Sequence, residues 1–379
     1  MSVRLTAGVA SALWAGAAAL ALHERRRAPR PDAEPPARPG PLVSVIVPAR
    51  NEERGVGAAI ASLRALDYSN VQLLVVDDQS TDGTLAAARA AAGDDARVRV
   101  IAGEVLPDGW VGKSWACWQG VRASRGEWLL FTDADVLHAP DSLGRALAMA
   151  RRLGRGGLTL FPTIDCEGVA ECVVTPAALT AIGTFLAPGP LARSDRSRVA
   201  IAAGGYILIS RRLYDAVGGH AAIRTRMVDD VCLAAAVKRF GALLVPVPAG
   251  RLARLRMYHG PREVWDGWSK NASFAAVGGP AKGLVSAGTI AALALAPAAA
   301  VAAGVRARDG RLTAIGLAGA GAMLALQRMS VWAVPTPARY APTLPLGMLV
   351  LSGATARGAL ERLVGLGPQW RGRRYPLAR

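Results

Sequence analysis

Lysine and acidic residues are scarce in this chain of 379 residues. Its 45 basic residues include four lysines, and they outnumber 28 acidic residues, which leaves a formal net charge of +17. A basic chain can bind nucleic acid through its phosphates, but the sequence lacks a helix-turn-helix, a zinc knuckle and a basic sheet studded with aromatics. The arginines instead stand beside apolar runs, as at 25–27 and 371–374. We therefore predict that the chain meets an anionic membrane bilayer and no nucleic acid.

Cysteine is also scarce, and charged residues are few. Cys117, Cys166, Cys172 and Cys232 form no CxxC pair, which favours reduced, buried thiols over a disulfide or a metal site. Charged residues make up 19% of the chain, hydrophobic residues make up 52%, and the mean hydropathy is +0.26. These values exclude a disordered chain. Because the apolar residues are bunched, they also argue against a protein that is soluble throughout.

Long uncharged runs predict membrane helices at both ends of the chain. The run at 5–22 is long enough for a helix to cross roughly 30 Å of hydrocarbon. Arginines follow this run, which favours a retained anchor with the next domain in the cytoplasm over a cleaved signal peptide. The run at 283–304 predicts a second span. The runs at 312–326 and 341–356 are shorter and fit either spans or a hairpin.

A further apolar run at 172–191 is broken by three prolines, and we interpret it as an interfacial or re-entrant helix. The chain is then a multi-pass protein of the cytoplasmic membrane with its globular domain in the cytoplasm. The predicted parts are an anchor (1–24), a Pro/Arg-rich linker (25–41), a globular domain (42–280) with interfacial helices near 172–191 and 261–277, a transmembrane region (281–360) and a basic tail (361–379).

Between residues 43 and 136, short β-rich runs alternate with helical patterns. The predicted strands are 43–48, 71–76, 98–101 and 128–131, and the helices between them are 52–66, 84–92 and 114–123. The strands are apolar nearly throughout, which is typical of a parallel sheet covered by helices on both faces. We therefore predict an α/β fold in which ligands bind at the carboxyl ends of the strands.

Polar clusters follow three of these strands. They are Arg50 and Glu52 after the first strand, the Asp-rich turn 77–84 after the second, and Asp133 and Asp135 after the fourth. The turn by itself could be a helix start capped by Ser80 or Thr81. Two carboxylates one residue apart repel each other unless a cation or donors compensate, and Mg²⁺ takes carboxylate oxygens together with substrate phosphates. No GxGxxG or GxxxxGK[ST] motif occurs, so dinucleotide and P-loop folds lose their main support.

Four motifs occur in one order: VSVIVPARNEE, VVDDQSTDGT, GWVGKSWACWQG and LLFTDADV. In order and spacing they resemble the family 2 glycosyltransferases with the GT-A fold. Later segments, AAGGYILISRRLYDAVGGH, MVDDVCLAAAVKRFG, RMYHGPREVWDGWSKN and the closing QWRGRRY, resemble a membrane-bound subgroup associated with carotenoid and hopanoid gene neighbourhoods. The resemblance covers residues 40–275 well and the membrane runs only in kind. It implies a GT-A sheet with helices on both faces, flanked by transmembrane helices.

The resemblance also implies a role for particular residues. Those implied for the donor are Pro48, Arg50 and Glu52 around the base and ribose, Asp78 on the base, Lys113 on the phosphate side, Asp133 on the ribose or sugar, and Arg262, Trp265 and Trp268 flanking the donor. Asp135 would ligate the Mg²⁺ or Mn²⁺ that bridges the diphosphate, and Asp230 would be the general base. Asp229-Asp230 replaces the family's usual Glu-Asp pair, so whether Asp229 is catalytic or structural stays open. The pair also fits a helix N-cap, where carboxylates suit the positive end of the helix dipole.

The activity that the resemblance implies is the inverting transfer of one sugar from a nucleotide-diphosphate donor, first of all a UDP-sugar, to a lipid in the membrane. The QxxRW motif of processive synthases is absent, which favours the addition of one sugar. A carotenoid or other polyisoprenoid is the first acceptor, and a glycerolipid or polysaccharide is the alternative. An inactive membrane scaffold and a nucleotidylyltransferase remain as rivals. His220 is interpreted as acceptor-loop structure rather than a ligand, and His138 as a surface or helix-cap residue.

Overall fold

A computed structural model of the chain describes residues 3–37, 40–275, 279–329, 333–366, 369–370 and 373–374. The chain divides into two units. We call residues 28–164 and 189–257 the α/β unit. We call residues 1–27, 165–188 and 258–379 the helical unit. Of the segments that the sequence suggests as interfacial helices, 261–277 and residues 172–188 of the other belong to the helical unit.

A seven-stranded sheet forms the centre of the α/β unit. Its strands, in their spatial order, are β3 (Val98–Ala102), β2 (Val71–Asp77), β1 (Val43–Ala49), β4 (Trp128–Phe131), β8 (Ile207–Ser210), β6 (Gly156–Phe161) and β9 (Leu243–Pro248). The first four in this order are mutually parallel, and β8 runs antiparallel to both of its neighbours. A smaller sheet is formed by β5 (Leu137–His138), β10 (Ala253–Leu255) and β7 (Thr163–Ile164).

Helices cover both faces of the large sheet. They are α2 (Val56–Arg64), α3 (Thr84–Ala92), α4 (Gly112–Arg122), α5 (Ser142–Leu153), α7 (Gly189–Ala192), α8 (Arg211–Ala216), α9 (Gly219–Ala222) and α10 (Asp229–Arg239). Along β1, Val45 and Val47 join one buried cluster and Ile46 joins another, as the alternation of side chains on a strand requires. A Cβ at Gly120 would lie 2.6 Å from Ile46 Cγ2, so glycine lets α4 lie directly on the sheet.

The predicted alternation of strands and helices is confirmed. The strand at 128–131 and the helix at 84–92 have the expected bounds, and the other three strands are each one residue longer than predicted. The first helix is shorter than predicted, because the chain from Glu52 to Gly55 forms a turn before α2 begins. The antiparallel strand β8 was not predicted, and it is the element that joins the two parallel groups of strands.

The helical unit contains six long helices in its described part, a 3-10 helix (Ala338–Thr343) and two short strands (Gln369–Trp370 and Arg373–Arg374). The long helices are α1 (Val3–Arg27), α6 (Val169–Ala181) with a π-helical continuation (Ile182–Leu186), α11 (Pro261–Ala275), α12 (Pro280–Arg306), α13 (Gly310–Met329) and α14 (Leu344–Leu363). Trp14 is fully buried, and its indole N–H donates to the carbonyl of Leu293 at 3.0 Å, which fixes α1 against α12. Ser11 likewise donates to the carbonyl of Ile315 at 2.8 Å.

Four of these helices are long and apolar enough to cross a membrane. They are Val3–Ala33, Val169–Leu186, Pro280–Arg306 and Gly310–Met329. The segment predicted as interfacial therefore also has the length and composition of a span, and its helix α6 packs against α14 and α11. Nine of the 19 residues of the predicted basic tail, including Arg371, lie outside the described residues.

Candidate active site

The loops after β1 and β2 are tied together by Arg50. Its guanidinium donates hydrogen bonds to the carbonyls of Asp78 and Gln79, the latter at 2.8 Å. Arg50 and Asp78 are both buried. The N–H of Asp78 in turn donates to the carbonyl of Ala49 at 2.8 Å. Two residues predicted to frame the donor base thus lie side by side at the carboxyl ends of adjacent strands.

Pro48 and Glu52 lie on either side of this contact. Pro48 is half-buried near the end of β1, where it pairs with Val76, and the N–H of Glu52 donates to the Thr84 hydroxyl at 2.7 Å. The N–H of Thr84 donates to Asp82 Oδ1 at 3.0 Å. The helix that follows the Asp-rich turn is therefore supported by Asp82, and the expectation of a cap from Ser80 or Thr81 is wrong.

Two residues in these loops have a left-handed backbone conformation, which residues other than glycine rarely adopt. Asn51 has φ 52° and Gln79 has φ 54°. The side chain of Asn51 accepts a hydrogen bond from the N–H of Thr81 at 2.9 Å, and its own N–H donates to Ser80 Oγ at 3.0 Å. Strained backbone held in place by such contacts is concentrated at functional sites. Sequence analysis did not identify Asn51 as part of the site.

Lys113 lies between two of the predicted aspartates. Its ammonium is 2.7 Å from Asp133 Oδ1 and 3.7 Å from Asp229 Oδ2. Lys113 is the second residue of α4, Asp133 follows β4, and Asp229 begins α10, so three separate elements bring the charges together. The Lys113 side chain is 19% exposed, so it keeps some contact with solvent.

Gly204 marks the point where the carboxylates converge. A Cβ built on it would lie 2.7 Å from Lys113 Nζ, 3.4 Å from Asp133 Oδ2 and 3.5 Å from Asp230 Oδ2. Its N–H donates to Asp230 Oδ2 at 3.0 Å, and the other oxygen of Asp230 accepts from the N–H of Val231 at 2.7 Å. The absence of a side chain at Gly204 therefore keeps open the space that Lys113, Asp133 and Asp230 share. Sequence analysis quoted the Gly204-Gly205 pair without giving it a role.

A buried hydrogen-bond chain connects the end of β4 to this glycine turn. The Thr132 hydroxyl donates to the carbonyl of Gly205 at 2.8 Å and lies 2.9 Å from His138 Nε2. The hydroxyl proton goes to the carbonyl, so the His138 ring must donate to Thr132. Burial lowers the pKa of His138 to about 3, so the ring is neutral. His138 is thus a buried structural residue, and the prediction of a surface or cap position is wrong.

The clustered charges shift each other's ionisation. Burial lowers the pKa of Lys113, but Asp133, Asp229 and Asp230 outweigh it and hold that pKa well above its usual value. Desolvation and then the charge of Asp229 raise the pKa of Asp230 to about 6, against the opposing effect of Lys113. Burial likewise raises the pKa of Asp229, which Lys113 opposes. The site therefore holds a permanent cation beside a carboxyl that titrates near neutral pH.

The Asp229-Asp230 pair does not form a helix N-cap. The residue before α10 is Val228, and no side chain caps it. Both aspartates lie in the first turn, where the helix dipole favours negative charge, and Asp230 also binds Gly204 across the site. The carboxylates that the helix dipole favours are therefore the same ones that take part in the site.

Asp135 is half-buried in the turn after β4, two residues beyond Asp133. A Cβ on Gly55 would lie 3.4 Å from the Asp135 Cα, so the loop after β1 packs against this turn. Asp133 and Asp135 supply carboxylate oxygens, which are the ligands that Mg²⁺ and Mn²⁺ prefer, and Asp133 is 36% exposed. The donor set at this strand end thus fits a hard divalent ion.

Three of the predicted donor residues lie on α11 in the helical unit. Trp268 is buried and its ring meets the Tyr258 ring edge-on, with centroids 5.9 Å apart. Trp265 is half-buried, with its ring near Gly353 of α14. Arg262 is exposed and lies 3.9 Å from Asp266. A role for these residues at the donor stays a prediction.

The cysteines are free, as predicted. Cys117 and Cys172 are buried, and Cys166 and Cys232 are half-buried. Cys117 faces the aspartate cluster, where its Sγ, a His220 ring nitrogen and an Asp229 oxygen lie within 4.8 Å of one another.

Replacing Gly204 by Ala is expected to lower kcat/KM for the donor about tenfold. The new methyl would displace the Lys113 ammonium from Asp133, which removes a charge-assisted hydrogen bond at the open side of the site. Gly57→Ala is the matched control, because nothing lies within 4 Å of a Cβ there. Steady-state kinetics and thermal unfolding of both variants check this. Equal kinetics for Gly204→Ala and Gly57→Ala would show that the space beside Gly204 is not part of the donor site.

The chain is similar to known proteins in both sequence and fold. The sequence profile of glycosyl transferase family 2 matches residues 44–218. Two curated relatives are named 4,4'-diaponeurosporenoate glycosyltransferase. The one from Staphylococcus haemolyticus (strain JCSC1435) is 26% identical over 235 residues, which is 60% of each chain, and the one from Staphylococcus aureus (strain MRSA252) is 28% identical over 243 residues, which is 62% of each chain. The matched region thus spans about three fifths of the length of these relatives.

The fold resembles that of one solved structure over nearly the whole length of this chain. A mannosyltransferase from Pyrobaculum calidifontis, solved in complex with GDP-Man and Mn²⁺, covers 96% of this chain and 99% of its own, with a TM-score of 0.54 and 20% sequence identity. The family profile begins at β1 and extends past β8, so it covers the strands that carry Arg50, Asp78 and Asp133. Residues 44–218 thus match glycosyl transferase family 2, and the chain has a GT-A fold with apolar helices long enough to span a membrane.

Proposed function

We propose that the chain is an inverting glycosyltransferase that moves one sugar from a nucleotide-diphosphate donor, a UDP-sugar first, to a lipid held in the membrane. The observation that carries this proposal is the convergence of Lys113, Asp133 and Asp230 on the side-chain-free surface of Gly204. A cation beside a carboxyl that titrates near neutral pH meets the two needs of the reaction, because a diphosphate must leave and a hydroxyl must lose its proton.

Asp230 is the general base of this reaction. Its carboxylate takes the proton of the acceptor hydroxyl while the hydroxyl oxygen forms a bond to the anomeric carbon. The bond from that carbon to the diphosphate oxygen breaks, and the nucleoside diphosphate leaves with the electron pair. Attack and departure on opposite faces invert the anomeric configuration. Lys113 offsets the charge that develops on the leaving diphosphate.

Asp135, with Asp133, would hold the divalent ion. Mg²⁺ or Mn²⁺ bound there would neutralise diphosphate charge. The carboxylate-only donor set supports this assignment, and the Mn²⁺ in the Pyrobaculum mannosyltransferase is consistent with it. Arg50 and Asp78 line the strand ends on the base side, and their mutual contact would keep that side rigid when a nucleotide binds.

A membrane lipid is the acceptor class that the helical unit favours. Four helices there are long and apolar enough to span a bilayer, which supports a position in the membrane, where a lipid substrate is concentrated. The curated relatives are named for diaponeurosporenoate, so a carotenoid or another polyisoprenoid is the first acceptor to test. With the arginines of the last turn of α1 on the inner side, the α/β unit lies in the cytoplasm of a multi-pass protein.

Membranes that contain the chain, incubated with labelled UDP-sugars and GDP-mannose and then extracted with organic solvent, test the proposal. We expect label in the extract, free nucleoside diphosphate as the other product, and neither product with Asp230→Asn. Release of pyrophosphate instead would indicate a nucleotidylyltransferase. No lipid label from any donor, with polyisoprenoid acceptors supplied, would overturn the lipid-acceptor assignment, and no donor turnover at all would indicate a scaffold.

The rate of transfer is expected to fall as the pH drops through about 6. A base acts only when ionised, and desolvation beside Asp229 raises the pKa of Asp230 to about 6. Below that pH Asp230 is protonated, so activity is lost on the acid side and retained on the alkaline side. A pH profile of kcat from 4.5 to 8.5 at saturating metal checks this. An acid limb near 4, the ordinary value for an aspartate, would mean that Asp230 is not the titrating base.

A further inference from the structure

His220 is buried beside the aspartate pair and is fixed by its neighbours. It lies in α9, is 2% exposed, and its ring meets the Phe131 ring edge-on with centroids 4.7 Å apart. The Tyr214 hydroxyl lies 2.9 Å from His220 Nδ1 and accepts a hydrogen bond from the His220 backbone N–H at 3.0 Å. The imidazole therefore has one orientation. The sequence interpretation of His220 as loop structure rather than a ligand does not say what this buried ring does beside the aspartate pair.

The contact with Tyr214 decides which ring nitrogen of His220 carries the proton. A tyrosine hydroxyl has one proton to donate, and in the described part of the chain its hydrogen bonds are the two with His220. It already accepts from the backbone N–H, so its own proton is directed to Nδ1. Nδ1 is then the acceptor, and the proton of the neutral ring lies on Nε2. Burial and then Lys113 lower the pKa of His220 to about 3, so the ring stays neutral at working pH.

The protonated nitrogen faces Asp229. His220 Nε2 lies 3.9 Å from Asp229 Oδ2, the oxygen that also lies 3.7 Å from Lys113 Nζ. The titratable and charged groups around Asp229 are Lys113 and Cys117 from α4, Asp133 after β4, Asp230 on its own helix and His220 from α9. An N–H dipole directed at an anion in a buried site stabilises that anion without adding a second cation.

We propose that Tyr214 and His220 are positioning residues that, through the Nε2–H tautomer of His220, keep the Asp229 carboxylate ionised beside the general base Asp230. The inference rests on the proposed function. It assigns Asp229 a role that the sequence leaves open, since the negative charge of Asp229 makes Asp230 a stronger base. A proton shared by the two carboxyls then binds to Asp230 rather than to Asp229, so Asp230 is the carboxylate that receives the proton of the acceptor hydroxyl.

Loss of the N–H group has a signature that a general structural defect lacks. Without it the shared proton moves towards Asp229, the charge beside Asp230 is reduced, and Asp230 becomes a weaker base that ionises at lower pH. His220→Leu is therefore expected to lower kcat about tenfold, leave KM for the donor within about twofold, and move the acid limb of the kcat profile down by about one pH unit. His220→Gln, whose amide keeps an N–H donor, is expected to retain most of kcat and the wild-type limb.

Tyr214→Phe provides a second, smaller change. It removes the hydroxyl that selects the tautomer but keeps the ring that packs on Phe131, with centroids 5.4 Å apart. We expect a shift of the acid limb in the same direction as for His220→Leu, with a smaller loss of kcat. The inference is wrong if His220→Leu keeps the wild-type limb, or if His220→Gln and His220→Leu are equally impaired while both unfold at the wild-type temperature.

The tautomer can be measured without any sugar transfer. The chain has four histidines, so ¹⁵N-histidine labelling of the full-length protein gives few signals, and His220→Gln assigns the signal of interest. We expect a non-protonated Nδ1 and a protonated Nε2 from pH 8 to 5, and a mixture of tautomers in Tyr214→Phe. A proton on Nδ1 would overturn the inference, and it is also the form that a metal bound at Nε2 would require.

These measurements separate the two proposals. If the expected tautomer is found and no donor is turned over by the wild type, the proposed function fails and the hydrogen-bond assignment stands. If transfer occurs and falls near pH 6 in the wild type and in His220→Leu alike, the function stands and the role of His220 fails.

Discussion

Replacing Asp230 by Asn is expected to lower kcat for sugar transfer by about a thousandfold and to leave donor affinity nearly unchanged. Asn keeps the size of the side chain and one oxygen, which can accept from one of the two N–H groups, Gly204 or Val231, that now bind separate oxygens of the Asp230 carboxylate. It cannot take a proton, and loss of a general base costs roughly 10² to 10⁴ in rate. Initial rates of label transfer into the lipid extract, with donor binding measured separately, check this.

Asp94→Asn is the matched control for this substitution. Asp94 is exposed in the loop after α3, so the same chemical change there should leave both rate and affinity as in the wild type. Retention of more than a tenth of the wild-type rate by Asp230→Asn would contradict the assignment of the base. If Asp229→Asn lost activity and Asp230→Asn kept it, the roles of the two aspartates would be exchanged.

The positions of the strand ends could be predicted because they depend on local pattern. Apolar runs of four to seven residues between helical segments leave few alternatives to a parallel sheet, and in such a sheet the residues after each strand meet at one edge. Arg50, Asp78 and Asp133 were placed at that edge on this ground, and the structure has all three there. The motif order added Lys113 and Asp230, which lie on helices and come from distant parts of the chain.

What could not be predicted depends on contacts between segments. The importance of Gly204 comes from the groups that face it across the site, and nothing in its neighbouring sequence records them. His138 follows a turn and reads as a surface residue, yet tertiary packing buries it and gives it Thr132 as a partner. The left-handed backbone of Asn51 is likewise stabilised by a loop 30 residues away, through Thr81. Local propensity cannot specify an environment that other segments supply.

Asp133 and Asp230 share one space but differ in what surrounds them. Asp133 has a full ion pair with Lys113 at 2.7 Å, whereas Asp230 binds backbone N–H groups and has the charge of Asp229 beside it. Asp133 binds a cation and can serve as a ligand, while desolvation and the like charge of Asp229 raise the pKa of Asp230, which suits a base. Two chemically identical side chains thereby acquire different tasks in the proposed reaction.

Replacing Asp135 by Ala is expected to lower the transfer rate at least a hundredfold at Mn²⁺ concentrations that saturate the wild type. The half-saturating Mn²⁺ concentration should also rise more than tenfold. The substitution removes one of the two carboxylates, Asp133 and Asp135, that would hold the ion at this strand end, and Asp133, which also contacts Lys113, would bind it alone and more weakly. Titration of chelator-treated membranes with Mn²⁺ and Mg²⁺, with lipid label as the readout, measures both quantities.

Asp135→Glu distinguishes loss of a ligand from damage to the turn. Glu keeps the carboxylate on a longer side chain, so it should recover part of the rate and lower the Mn²⁺ requirement relative to Asp135→Ala. Two results would contradict the metal assignment: a wild type that transfers sugar at full rate in excess chelator, and an Asp135→Ala variant whose Mn²⁺ dependence matches the wild type. In either case Lys113 would be left as the main positive charge for the leaving diphosphate, and Lys113→Met would then be the substitution that stops the reaction.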